Sequence, residues 1–331
     1  MPSFRTRAAL ALVLALATAG CDSLTDVKAP DLVDPSKLDN PQGAIALHAG
    51  AITLFANGLN GGNSANNSFV TASGVLTDEF QHTGVGAQWD SHDIRNSSED
   101  ATGVGTSLVS LSQSRVAALA AVFKIRQVAP NPRSRLGELF GVAAYSELLL
   151  GEMYCSGVSL SVMQDGVPVD YGQPLTTPQL YDRSVADFDS AASYASDSAR
   201  VLNMVRVGRG RALLDLGRFA DAATAVAAVP TNYVYNAEYS ATTLTNTLNR
   251  TFNDGVLTVS DKEGGNGLDF RSANDPRVRT AFLRRGADTQ NDVYAITPLM
   301  TAGAGAPTPL ATGVEARLIE AEAALQANNP T

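Results

Sequence analysis

Asp78, Glu79, His82, Trp89 and Asp90 fall within thirteen residues of a stretch rich in glycine and asparagine. A flat aromatic face beside fixed carboxylates is what recognition of a sugar ring needs: the ring's C–H side stacks, and its hydroxyls donate to the acids. Other chemistries can be set against these residues. His82 and His92 flank Asp90 and Asp93, but a ten-residue spacing is not the short ligand pattern of a metal site. Asp78 with Glu79, or Glu147 with Glu152, has the composition of a glycosidase acid pair, yet adjacent or i+5 carboxylates carry no separation across a cleft. No Gly-rich phosphate loop or G-x-S-x-G elbow is present. Cys155 ends an apolar helical segment with no histidine near it in sequence, which gives a nucleophile no base. From these residues no catalytic residue, no metal and no cofactor is expected.

The other cysteine, Cys21, closes the stretch "LATAGC". Arg5 and Arg7 precede the apolar run from Ala8 to Ala17, and Ala19 and Gly20 follow it, the order of a secretory signal. Ten apolar residues are too few to span a bilayer, which takes about 20. Small residues directly before a cysteine resemble the lipobox of bacterial lipoproteins, with Thr18 where leucine is preferred, and this implies Cys21 as the lipid attachment site. An ordinary secretory cleavage that leaves Cys21 a stray thiol, or a Cys21–Cys155 disulfide, is the alternative reading. Residues 21–40 are rich in aspartate and lack a helical period, as a tether does. No later stretch is expected to reach membrane length, so the membrane is met through the anchor only.

The whole chain carries 24 basic and 33 acidic residues, a formal net charge of −9; without Arg5 and Arg7 the balance is 22 against 33, or −11. Such a chain, with no basic cluster, is a poor partner for nucleic acid. Apolar residues make up 44% and charged residues only 17%, so the surface must lean on Ser, Thr, Asn and Gln, as suits an exported protein.

The elements that must position these residues read as helices. Asn40 caps and Pro41 opens a helix that ends near Asn57-Gly58, with Ile45, His48, Ile52 and Phe55 on one face. Leu108 to Arg126 and Leu136 to Tyr154 are helical, parted by "APNPRS". Thr177-Pro178 opens an amphipathic helix with Tyr181, Val185, Phe188, Ala192 and Ala195 inside and Asp182, Arg183, Asp187 and Asp189 on the wet side. Gly210, Leu213, Gly217, Phe219, Ala222, Val226 and Val229 match the spacing of one tetratricopeptide hairpin, with no second copy at the 34-residue period. Residues 57–104 and 255–313 read as non-helical excursions, with short strands at Gly255–Ser260 and Asn291–Ile296 only.

In this order the segments resemble the SusD/RagB family of nutrient-uptake outer-membrane lipoproteins. "LDNPQGAIALHAGAI" looks like the family's first helix and "VLTDEF" like the acidic turn after it. "RLGELFGVAAYSELLLGEMYCSGVSLS" is similar to its alanine- and tyrosine-rich helix, and "PLTTPQLYDRSVADFDSAASYA" to the helix leading into the repeat pair. "ALLDLGRFADAATAV" resembles that repeat, "NDPRV" its Asp-Pro-Arg loop and "EARLIEAEAALQANN" its late helix. The resemblance implies a mainly α, irregular tetratricopeptide-like helical-hairpin domain over residues 41–331, with a loop-rich layer and few short strands. Family members run on past the late helix, so the sequence is read as a short or truncated member. It further implies a surface-exposed protein, anchored at the outer membrane, that captures a glycan or peptide and passes it to a TonB-dependent, SusC-like barrel. Asp78, Glu79, Trp89 and Asp90 are then the candidate ligand-binding residues. The competing reading is a repeat-type periplasmic lipoprotein that scaffolds outer-membrane assembly, which would show regular helical stacking throughout.

Overall fold

Asn40 begins the described fold by placing its side chain over the first turn of a helix: its Oδ1 accepts from the amide of Gly43 at 2.9 Å, and Pro41 fits the first position. The computed structural model describes residues 38–61, 68–85, 87–96, 102–263 and 267–328. The signal segment, Cys21 and the tether through residue 37 lie outside the described residues.

The helical body is a succession of neighbours: α1 (Pro41–Asn60), α4 (Thr102–Val128), α5 (Ser134–Met153), α6 (Thr177–Tyr194), α7 (Ala199–Asp215), α8 (Phe219–Val226) and the late helix α11 (Gly313–Gln326). α4 packs on α1 and α5, α5 on α6, α6 on α7, and α8 between α7 and α11. By length and composition Gly105–Val128 could cross a membrane, contrary to the sequence expectation. Here it is a core helix, with Leu111, Ala118 and Ile125 fully buried against its neighbours. α5 is the centre, buried almost all round from Leu136 to Gly151. Close approach comes from small residues: a side chain at Gly208 of α7 would run into the rings of Phe188 and Tyr145, and one at Gly210 into Val226. The tetratricopeptide-like spacing is thus a real hairpin, α7 to α8, turned at Gly217 with φ +71°. Phe219 is half-buried there, while Leu213, Ala222 and Val226 are fully buried.

Two residues fall on the other side from the sequence expectation. Ile45 is 52% exposed, because α1 buries the stripe Ala44, Ala51, Phe55 and Leu59 instead. Asp187 is buried, not on the wet side of α6, since it meets Glu147 of the body and pairs with Arg183 at 3.8 Å, with the charge of Arg115 behind them.

The excursions are more structured than the sequence suggests. They hold helices α2 (Phe69–Leu76), α3 (Ala87–Asp93) and α10 (Thr297–Ala302), and α9 (Thr247–Asn253) leads into the second of them. Eight short strands, where two are expected, form four antiparallel pairs among the described residues. β1 (Phe80–His82) pairs with β5 (Leu257–Val259), Phe80 opposite Val259. β2 (Ser161–Gln164) pairs with β3 (Val167–Tyr171), and β4 (Val234–Ala237) with β8 (Thr308–Thr312). β6 (Thr280–Arg285) pairs with β7 (Asp292–Ile296), which runs beside β5. Ala72, Val75, Phe80, Trp89, Phe252, Val259 and Val293 make a second core for this loop layer, separate from that of the helical body.

A buried polar junction joins the two. Asn60, ending α1, donates from Nδ2 to Asn246 Oδ1 (3.3 Å) and Thr308 Oγ1 (2.9 Å), and its Oδ1 accepts from Ser68 Oγ (3.1 Å) and the Leu248 amide (3.3 Å). Every donor and acceptor of that amide is used, so a buried asparagine costs little here and fixes orientation. A helical body carrying an irregular strand-and-loop layer replaces the regular stacking that a repeat scaffold requires.

Candidate functional site

The sequence-nominated residues cluster at the start of the loop layer. α2 ends into Asp78, which adopts a left-handed backbone (φ 61°), a conformation aspartate tolerates better than bulkier residues. Its Oδ1 accepts from the guanidinium of Arg95, just past α3. Glu79 is exposed, and its carbonyl continues the β1–β5 ladder by accepting from the Ser260 amide. His82 is buried on β1, with its ring Nδ1 2.5 Å from Asp90 Oδ1 and its amide donating to Asp93 Oδ1. Asp90 keeps 61% of its side chain in solvent. Burial, and then the charges of Glu263, Asp78 and Asp90, push Asp93 up to about 7 against the pull of the His82 amide.

The structure therefore gathers Asp78, His82, Asp90, Asp93 and Arg95 at one edge. Trp89 faces the other way. It is only 4% exposed, lies in the second core and meets the His92 ring edge-on at 5.7 Å between centroids. Its faces are covered by protein, so in this structure it holds the edge from beneath. Among the described residues no group of three or more His, Cys, Asp or Glu side chains is placed to hold a metal ion.

An exposed aromatic platform does exist nearby, on the β6–β7 hairpin. Phe282 is 58% exposed and packs edge-on to Tyr294 (centroids 6.0 Å), while the Arg271 guanidinium lies 4.1 Å from the centre of the Tyr294 ring. The hairpin is docked on the same layer: the Asp288 amide donates to Thr83 just after β1, and the Tyr294 amide to Thr258 on β5. The alternation in "DVYAI" is the strand signal that points to one arm of this platform, while "TAFLRR" carries none.

The carboxylates of the body have structural partners. Glu147 is fully buried, with Oε1 2.5 Å from Arg115 Nε; Glu152 receives a two-pronged contact from Arg211 at 2.7 and 2.6 Å. Glu147 Oε2 and Asp187 Oδ2 are buried without a donor as long as both acids are ionised. Burial and the Asp187 charge raise Glu147 to about 8, overcoming Arg115, so at neutral pH it retains a proton that it can donate to Asp187. Neither pair faces the other across an open cleft. Glu138 is the opposite case. Burial opposes its charge, but hydrogen bonds from His48 (2.9 Å), Tyr235 (2.6 Å) and Arg200 (2.8 Å) outweigh it and hold the acid down to about 2. Cys155 is a free, exposed thiol at the exit of α5.

No family model matches the chain, and no curated protein aligns with it. Solved structures do match its fold. A SusD superfamily protein from Parabacteroides distasonis superposes with a TM-score of 0.68 at 12% identity, over 88% of this chain and 77% of that one. A SusD/RagB family protein from Bacteroides thetaiotaomicron gives 0.64 at 17% identity, over 86% and 68%. A SusD-like carbohydrate binding protein from Bacteroides vulgatus gives 0.62 at 12% identity, over 88% and 72%. Helical body, α7–α8 hairpin and loop layer together are folded, across most of this chain, as the SusD/RagB proteins are.

Proposed function

We propose that this protein is a non-catalytic, lipid-anchored binding protein of the outer-membrane surface that captures a glycan and passes it to a TonB-dependent barrel. The observation that carries the reading is the fold shared with SusD-like structures over 88% of the chain, one of which is a carbohydrate binding protein. The loop layer supplies the capture surface. Asp78, Glu79 and Asp90 offer acceptors for sugar hydroxyls, Phe282 offers a stacking face, and Trp89 supports the layer from within. Cys21 is the attachment point, and the aspartate-rich segment behind it lets the body reach its partner.

Calorimetric titration with neutral and acidic oligosaccharides tests the capture step. Phe282→Ala and Asp90→Ala are each expected to weaken the best ligand by about tenfold, the value of one stacking or charged hydrogen-bonding contact. Absence of binding by every glycan offered overturns the reading. Palmitate labelling tests the anchor: label that persists in Cys21→Ser removes Cys21 from that role. Co-purification of a barrel with the wild-type protein, lost on detergent exchange of the Cys21→Ser form, tests delivery.

A further inference from the structure

On the helical body, the β2–β3 hairpin and α4 enclose a cleft of about 710 Å³. That is the size of a small-ligand site. The hairpin wall is fixed at both ends. At its tip, Asp165 and Gly166 turn with positive φ (49° and 78°), and Gly166 sits so close to Phe123 of α4 that a side chain would meet the ring at 2.8 Å. At its base, the buried Arg115 donates from one nitrogen to the Ser161 carbonyl (2.9 Å) while its Nε is held by Glu147. A wall anchored in this way does not have to be ordered when a ligand arrives.

The chemistry of the cleft is one-sided. Val109, Val116 and Ala117 of α4 give an apolar floor, and Ser112, Gln113 and Asp170 place hydroxyl, amide and carboxylate on it. Tyr171 at the rim is 79% exposed and takes part in none of the ring–ring or cation–ring contacts among the described residues. Among the described residues no lysine or arginine lines the cleft, which leaves an anion without a counter-charge. Pro168 interrupts β3 with a residue that has no N–H, which blunts the strand as an edge for an added peptide. An open ring face with neutral hydrogen-bonding groups and one acceptor carboxylate fits the two sides of a pyranose.

We propose that this cleft is a second binding site, for a neutral saccharide, with Tyr171 as its stacking platform and Gln113 and Asp170 as its polar anchors. The proposal rests on the reading of the chain as a glycan-binding protein and extends it to a face that the loop layer does not include. The test is calorimetry on the full chain with maltohexaose, cellohexaose, laminarihexaose and xylohexaose. Tyr171→Ala and Gln113→Ala are expected to weaken one binding event about tenfold, Tyr171→Phe to keep it, and Phe282→Ala to leave it unchanged. Tyr171 is exposed, so its loss is expected to leave Tm unmoved and an effect on binding is then local. Affinities that fall with Phe282→Ala but not with Tyr171→Ala overturn the second site and leave the loop-layer site standing. Failure of all four sugars to bind the wild-type chain overturns this site.

Discussion

Tyr145 and Trp89 are the large rings at the centres of the two cores, and each came to its place by a different route. Tyr145 lies on the most buried helix, edge-on to Phe188 at 5.1 Å and tilted against Phe55 at 6.5 Å, with its hydroxyl donating to the Met204 carbonyl. Its partners stand on α1, α6 and α7, long helices whose spacing brings them together through glycine and alanine seams. Trp89 sits on a two-turn helix, and its core is closed by β1–β5, a pairing between residues more than 170 positions apart. From α4 to α8 the helical body is built from neighbours in sequence, with α1 and α11 added at its ends. The loop layer is built from the two excursions meeting over one junction at Asn60.

That contrast predicts different kinds of damage. Phe188→Ala, which empties the space between α5, α6 and α7, is expected to cost about 3–5 kcal/mol and to shift the urea midpoint of the whole chain. Trp89→Ala is expected to cost roughly 3 kcal/mol, with the loss confined to the loop layer. Amide exchange should rise at Phe80–His82 and Leu257–Val259 while α5 keeps its protection. Equal loss of protection in α5 would show that the two cores unfold as one.

Among the acids whose pKa is raised, Glu147 in the helical body and Asp93 in the loop layer separate by pH. Unfolded, Glu147 titrates near 4.5, and folded at about 8, so between these values the folded chain binds the extra proton. Stability therefore falls as pH rises through that window, and Glu147→Gln should flatten the fall. Asp93 gives the same sign over a lower window, from 3.8 to about 7, removed by Asp93→Asn. Glu138 acts in the opposite sense: the stability it adds is complete above 4.5 and is lost as pH drops toward 2. Thermal melts of Glu147→Gln, Asp93→Asn and Glu138→Gln across pH 2–9 would read these slopes, and an unchanged slope in Glu147→Gln would remove the shared proton. The smallest effect belongs to a helix end. Thr176→Ala breaks the reciprocal cap with Gln179 on α6 and is expected to cost about 1 kcal/mol by urea unfolding.

The helices were legible because their signals are local. Asn40 with Pro41, and Thr177 with Pro178, mark starts that need no knowledge of the rest of the chain, although the second helix is capped one residue earlier, by Thr176. Periodicity fails at the edge of a stripe, where a partner rather than the helix decides the outcome. Ile45 found no partner, while Asp187 found Arg183 and the proton of Glu147. Asp165-Gly166 between "SVMQ" and "VPVDY" is a hairpin signature in its own right, and β2–β3 could have been read from it. β1, β4 and β8 could not, because three to five residues acquire strand geometry only from a distant partner. For the same reason the acidic edge was legible by composition, whereas the direction of Trp89 depended on strands far down the chain.

Glu138 has a further consequence for the order in which the molecule can be made. Its three partners lie 90 residues behind it, 62 ahead and 97 ahead. During synthesis from the ribosome His48 is already present when Glu138 emerges, Arg200 follows, and the Tyr235 hydroxyl arrives last. Until then a carboxylate destined for the interior has its third donor still to come. The set of donors that holds this acid ionised in the interior is complete only once Tyr235 has been made. The loop layer, whose β1 must wait for residue 257, closes afterwards.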